Sequence, residues 1–220
     1  GGLAKPLKAA GLSRVNISLD TLNKERYLYI TRKGNLNSVW EGIKAALNAG
    51  LTPVKLNVVI TRGFNEDEIL DFARLADEYP LHIRFIELMP IGTALTTAAQ
   101  YVSMAETKHQ IMQVFSLEPL TDIVTNGPAV NFKIVGGKGS IGFISAMSNH
   151  FCYRCNRLRL TADGRLRPCL YWDGELDLKG PLRSGFSEAE LAAIFARAIK
   201  LKPLRHHLEE GWHQPRAMSQ

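Results

Sequence analysis

Three short segments in the first 90 residues alternate apolar and polar side chains with a period of two, and helical segments separate them. Val15, Ile17 and Leu19 alternate with Asn16, Ser18 and Asp20, while Val54, Leu56, Val58 and Ile60 alternate with Lys55, Asn57 and Thr61. The third segment, over about 82–88, carries Arg84 and Glu87 within HIRFIELMP. A strand sends successive side chains to opposite faces, so each segment has an apolar face and a polar one. Parallel strands covered by helices on both sides read instead as unbroken apolar runs. Taken singly, each polar position fits a strand end or an exposed edge. Shared by three strands, the habit fits inward residues of a barrel whose lumen holds a ligand, with helices outside.

Helices fill the intervals. Ser38 with Glu41 reads as a capping box for a helix over about 38–49 that carries Val39, Ile43, Ala46 and Leu47 on one face and closes at Gly50. Asn65 with Glu68 reads as the cap of a second helix bearing Ile69, Phe72 and Leu75. Alternating strand and helix is the pattern of parallel β/α units. Three such strands cannot close a barrel of the usual eight. The fold class is therefore α/β, a partial (β/α) TIM-like barrel over residues 1–90 lacking its N-terminal strands, and an N-terminal portion is expected beyond this chain. Past Pro90 the pattern changes to an α+β extension over residues 91–220. It comprises a loop over 91–103, a helix over 104–115, and a hairpin pairing 130–135 with 140–146 around Gly136, Gly137, Lys138 and Gly139. A helix over about 187–200, opened by Ser187 with Glu190, follows, and the last twenty residues, with His206, His207, Trp212 and Pro215, read as irregular.

Apolar residues make up 45% and charged residues 22% of the 220, values that exclude a disordered chain, a collagen-like repeat or a coiled coil. The formal charge of +6 and an isoelectric point near 9.3 fit an anionic partner. No run of Lys and Arg resembles a nucleic-acid arm, and aromatics at 8% supply few stacking platforms, so a nucleic acid is not the expected partner. No apolar stretch reaches the roughly eighteen residues of a membrane span, and the N-terminus lacks a signal pattern, so a cytoplasmic location is expected.

All three cysteines lie within eighteen residues, as a CxxC at Cys152 and Cys155 with Cys169 fourteen positions further. An odd, clustered count fits a disulfide framework badly and a metal site well. Three thiolates can hold a 4Fe-4S cube, one ligand per iron, leaving the fourth iron open. Three thiolates and His150 can instead close a tetrahedral zinc site, the commoner outcome of this spacing alone; three unligated core cysteines are the remaining alternative. The tightest basic cluster of the chain, Arg154, Arg157, Arg159, Arg165 and Arg167, surrounds this motif. A structural zinc has no need of it, whereas an open cluster beside a phosphate-bearing ligand does. On a strand, Arg157 and Arg159 point the same way, and Ala162, Asp163 and Gly164 read as a hairpin turn returning the chain to Cys169.

RVNISLDTL, LTPVKLNVVITRGFNEDEI, RFIELMPIG and SNHFCYRCNRLRLTADGRLRPCL together resemble the GTP 3',8-cyclase family of molybdenum-cofactor synthesis, the radical-SAM proteins known as MoaA, over roughly residues 10 to 220. The resemblance implies a partial barrel with one 4Fe-4S cluster that binds and cleaves S-adenosylmethionine (SAM) and a second, C-terminal 4Fe-4S cluster that binds GTP. It implies that Cys152, Cys155 and Cys169 hold the C-terminal cluster, that Lys55, Arg84, Arg157, Leu158 and Arg159 contact GTP, and that Ser18 and Met89 contact SAM. Outside the family, Ser18 reads as a packed strand residue and Met89 as a gap-filling side chain. In the family reaction a 5'-deoxyadenosyl radical takes the hydrogen at C3' of GTP, and the carbon radical attacks C8 of the guanine. The resemblance also implies an electron donor, a downstream cyclic pyranopterin monophosphate synthase and a homodimer as partners. Two family features are missing here, the CxxxCxxC of the first cluster and the C-terminal pair of glycines. Both absences read as truncation, so the chain alone is expected to be inactive. The rival readings are a non-catalytic GTP-binding iron-sulfur fragment and a zinc-stabilised nucleic-acid-binding module.

Overall fold

The computed structural model describes residues 1–91, 98–120, 127–171 and 174–206. The loop predicted over 91–103 falls partly outside the described residues, and so do the last twenty residues, which are described only as far as His206 and have no helix or strand up to that point. The chain divides into two compact units, Gly1–Leu88 with Ala99–Ser148, and Met89–Ala98 with Asn149–Gln220.

The first unit contains, in chain order, α1 (Ala4–Ala9), β1 (Val15–Ser18), α2 (Lys24–Thr31), α3 (Leu36–Asn48), β2 (Val54–Ile60), α4 (Ile69–Glu78), β3 (Leu81–Glu87), α5 (Met104–Met112), β4 (Leu117–Pro119), β5 (Val130–Ile134) and β6 (Ser140–Ile144). They build one sheet of order β1-β2-β3-β6-β5-β4. The neighbours β1, β2, β3 and β6 are parallel, and β5 and β4 complete the sheet antiparallel. This is the mixed α/β arrangement of a partial (β/α) barrel.

Register explains the period-two pattern. Ile17, Leu56, Ile83, Ile141 and Phe132 align across five strands, and Leu56, Ile83 and Ile141 are fully buried. Beneath them Phe85 meets Phe72 edge-on at 6.4 Å and stacks on Phe143 at 6.1 Å. Each fully buried side chain of this size contributes roughly 1.5–3 kcal/mol. On the opposite face the polar residues also align, as Asn16, Lys55, His82 and Ser140 in one row and Ser18, Asn57, Arg84 and Gly142 in the next.

Three local expectations are corrected. Helix α3 begins at Leu36, capped by Asn35, whose side chain accepts from the N–H of Asn37 at 2.9 Å, rather than at Ser38 with Glu41. Asn caps at least as well as Ser, and the earlier start puts Leu36 into the core. Asn65 does not cap α4: its amide donates to the carbonyls of Asp20 and Val59 at 2.6 and 2.9 Å and accepts from the Thr61 N–H at 2.8 Å. Its partner Glu68 turns inward to accept from Thr21 Oγ1 and the Leu22 N–H. Glu87 lies three positions from Arg84, hence on the opposite face, and is fully buried on the core side. The hairpin predicted around residues 136–139 is present as β5 and β6, with Gly136 at φ +81°.

The second unit holds β7 (Arg159–Leu160), β8 (Arg165–Arg167), β9 (Leu176–Asp177), α6 (Lys179–Arg183) and α7 (Glu188–Lys200). The three strands form an antiparallel sheet of order β7-β8-β9. The turn predicted at Asp163 and Gly164 joins β7 to β8, with Gly164 at φ +87°. Helix α7 opens with the capping box of Ser187 and Glu190. Among the described residues no helix is long and apolar enough to cross a membrane.

Candidate functional site

The polar face of the first sheet carries a cavity of about 420 Å³ lined by Lys55, His82, Arg84, Asn131 and Ser140 together with Thr52, Pro53 and Pro80. Register puts Lys55 beside His82 and His82 beside Ser140, and His82 Nδ1 and Ser140 Oγ share a hydrogen bond of 2.5 Å. The cations crowd one another. Burial, then Arg84 and Arg14, lower the Lys55 ammonium below its usual range. Burial, then Lys55 and Arg84, lower the His82 imidazole. An anion in the cavity relieves that repulsion. Gly142 leaves room for the group above it, since a Cβ there would stand 2.7 Å from Asn131 Oδ1 and 3.5 Å from Arg84 Cγ. Asn57, next to Arg84 in register, has a buried Oδ1 with no hydrogen-bond partner. The cavity opens along the N-terminal halves of β2 and β3, whereas barrel enzymes place their chemistry at the C-terminal ends. Its lining is polar and cationic. Ser18, at the C-terminal end of β1, is exposed.

In the second unit, Cys152 opens a 3₁₀ turn over Cys152–Arg154, and the Cys155 N–H donates to the Cys152 carbonyl at 3.1 Å. Cys169 follows β8 by two residues. All three are free thiols, each partly buried. Burial raises the Cys152 thiol, the His206 backbone N–H opposes it, and Cys169 and Cys155 push it up again. Met89, after the end of β3, is half-buried.

The five arginines divide. Arg165 pairs with Asp163 at 3.3 Å and Glu175 at 3.8 Å, and Arg167 pairs with Glu175 at 3.0 Å. Arg154 lies over the Tyr153 ring at 5.1 Å. Among the described residues no carboxylate pairs with Arg157 or Arg159. Arg157 precedes β7 rather than belonging to it, so the expected strand geometry of the pair is not formed; strand pairing starts only at Arg159. Arg157 is exposed and set over the Phe151 ring at 6.0 Å, while Leu158 and Arg159 are half-buried. Burial and then Arg157 lower the Arg159 guanidinium, with Cys169 and Cys155 acting the other way.

The donor set can be tested against each metal group. Among the described residues no three His, Cys, Asp or Glu side chains converge on a single metal ion. His150 meets the His206 ring edge-on at 5.3 Å, and its Nδ1 is buried without a partner. A 4Fe-4S cube asks for one thiolate per iron, on separate corners. Three partly buried free thiols, an orphaned buried nitrogen and two guanidiniums that meet no carboxylate among the described residues fit that demand in chemistry.

His82, Ser140 and Asn131 are not among the residues that the sequence pattern picks out, and Asn57 enters it only as a polar strand position. The alternation that places Arg84 on the polar face also places His82 and Asn57 there, so that signal was available. Ser140 and Asn131 arrive only through the pairing of β6 with β3 and β5, and no local pattern announces it.

Residues 81–208 match the model of the family described as Molybdenum Cofactor Synthesis C, and residues 2–76 match that of the Radical SAM superfamily. The chain is 73% identical over its whole length to the GTP 3',8-cyclase of Moorella thermoacetica, covering 68% of that protein. It is 56% identical over 99% of its length to the GTP 3',8-cyclase of Pelotomaculum thermopropionicum, covering 67% of it. Against the GTP 3',8-cyclase of Desulforamulus reducens the identity is 52% over 99% of this chain and 68% of that protein.

Proposed function

We propose, from the fact that this chain belongs to the GTP 3',8-cyclase family, that it holds GTP and a 4Fe-4S cluster as part of a radical-SAM GTP cyclase acting in molybdenum-cofactor synthesis. The observation that carries this reading is the pair Arg157 and Arg159, with no carboxylate partner among the described residues, near three free thiols in the chain. Cys152, Cys155 and Cys169 are the proposed cluster ligands. Bound there, the cluster offers an iron without a thiolate as a coordination position for an atom of the nucleotide. Arg157 and Arg159 supply charge-assisted hydrogen bonds to phosphate or base, and Leu158 between them supplies apolar contact. Lys55 and Arg84, crowded on the sheet, are assigned to GTP as well, because a polyanion discharges their mutual repulsion. The guanine and ribose must then be held still and shielded from water, which is the protein's part in radical chemistry.

Ser18 and Met89 are the proposed contacts to SAM. By lineage of sequence, residues 1–90 are the C-terminal part of the barrel and 91–220 the extension carrying the cluster and GTP residues. That division differs from the compact units, in which residues 99–148 join the sheet. None of the three cysteines stands in a CxxxCxxC, so radical generation is not assigned to this chain, which is proposed to bind GTP without turning it over by itself.

Calorimetry with GTP and guanosine tests the assignment. The double variants Lys55→Ala with Arg84→Ala, and Arg157→Ala with Arg159→Ala, are each expected to weaken GTP by about a hundredfold or more, at roughly 1.5–3 kcal/mol per hydrogen bond to a charged group. Guanosine should lose far less with the sheet pair. GTP affinity unchanged in either double variant removes that pair from the site.

A further inference from the structure

One side chain remote in sequence reaches the cysteine segment. Lys202 Nζ donates to the carbonyl of Arg157 at 2.7 Å, to the carbonyl of Pro168 at 3.0 Å and to Cys155 Sγ at 3.7 Å. An ammonium has three donors, and these contacts use all of them. Arg157 stands two residues after Cys155, and Pro168 directly precedes Cys169. The lysine is itself fixed from behind: its N–H donates to the Ile199 carbonyl at 3.2 Å, at the C-terminal end of α7.

We propose that Lys202 is a positioning residue of the cluster site, which fastens the CxxC turn to the approach to Cys169 and donates an N–H···S hydrogen bond to a cluster-ligating sulfur. This rests on the reading that the three cysteines hold the cluster. Two consequences follow from the geometry. Both flanking carbonyls are drawn toward one cation, so the cysteine-bearing backbones are held together before any cluster binds. A positive charge and hydrogen bond at Cys155 also favour the more negative, reduced state, because hydrogen bonds to the sulfurs are among the factors that set a cluster's potential. Partners beyond the ligands themselves commonly alter metal affinity by about 10–100-fold.

The test compares anaerobically reconstituted wild type with Lys202→Met, Lys202→Gln and Lys202→Arg, reading the one-electron midpoint potential, the rate of iron loss to a chelator, and hydrogen exchange of amides 155–169 in cluster-free protein. Lys202→Met is expected to shift the reduced-to-oxidised ratio about tenfold toward the oxidised form, equivalent to a midpoint about 59 mV lower for one electron. It should also release iron roughly tenfold faster and raise exchange across 155–169, while Lys202→Arg recovers most of each effect. If the Met variant does not fold, the Gln variant removes the charge with less change in packing and is judged by the same readouts. A wild type that takes up iron, with Met or Gln variants matching it in potential, iron release and exchange, overturns the role of Lys202 alone. A wild type that takes up no iron overturns the cluster reading and this inference with it.

Discussion

The two units are held together by different means. In the first, one continuous apolar core includes the fully buried Leu56, Ile60, Ile69, Phe72, Ile83 and Phe85. That burial supplies the main driving force for folding and leaves the opposite face of the sheet free to be polar and cationic. From Asn149 onward, among the described residues, only Leu166, Pro168, Ala198 and His206 are buried, and the strands are two or three residues long. This region is organised by Gly164, by the ion pairs of Arg165 and Arg167, and by Lys202. A core makes a site that exists without its ligand; a charged network around thiols makes one whose stability is tied to what those thiols bind.

That contrast can be broken, and the largest effect should come from removing metal. Stripping the iron is expected to speed amide exchange in residues 149–171 and 174–206 by on the order of a hundredfold or more, since metal binding free energy becomes folding free energy. The β2 and β3 amides should keep their protection. Equal loosening of both regions would show that the units are not held differently.

Next in size is Glu87, the one charged side chain fully buried in the apolar unit among the described residues. Its carboxylate accepts from the N–H groups of Met104, Met147 and Ser148 at 3.0, 2.7 and 2.9 Å, from Ser148 Oγ at 2.5 Å and from Tyr101 Oη at 3.0 Å. Glu87→Ala leaves those donors buried and is expected to lower stability by about 3 kcal/mol or more, at roughly 1–3 kcal/mol per unsatisfied group. The urea midpoint of the sheet reads this directly, and a loss below about 1 kcal/mol would mean that other acceptors replace the carboxylate.

The smallest effect sharpens the comparison from the ligand face. The Lys55 ammonium is lowered by burial, Arg84 and Arg14, so the folded state disfavours its proton. The resulting penalty is present in full at pH values where Lys55 is charged in both states. It is relieved as pH rises from the folded value toward the unfolded one of about 10.4. Lys55→Met should therefore be slightly more stable than wild type at neutral pH, with the difference shrinking as the solution becomes alkaline. A constant difference across that range would place Lys55 outside the repulsive cluster.

Local chemistry was legible where it repeats. The strands, the 136–139 turn, the Asp163–Gly164 turn and the Ser187–Glu190 box all follow from patterns a few residues long. What could not be read required distance or a parity count. Glu87 was grouped with Arg84 as a polar strand residue, although an odd offset sends it to the core. Asn65 looked like a cap until three backbone groups, two of them outside its own turn, claimed its amide. The pairing of β6 beside β3, which brings Ser140 to His82, joins residues 58 positions apart, and Lys202 reaches Cys155 across 47. For the proposed cluster site, the three cysteines and the arginines around them stand close together in the sequence, whereas Lys202, whose ammonium reaches the carbonyls of Arg157 and Pro168, lies in no motif near them.

Cys152, Cys155 and Cys169 are proposed to hold one iron-sulfur cube jointly. Iron, sulfide and zinc analysis of anaerobically reconstituted protein, beside a Cys169→Ala variant, tests it most directly. About four irons and four sulfides per chain, broad visible absorption and negligible zinc are expected, with iron lost in the variant. Stoichiometric zinc in a colourless sample, or a variant that retains the wild-type iron content, would contradict it.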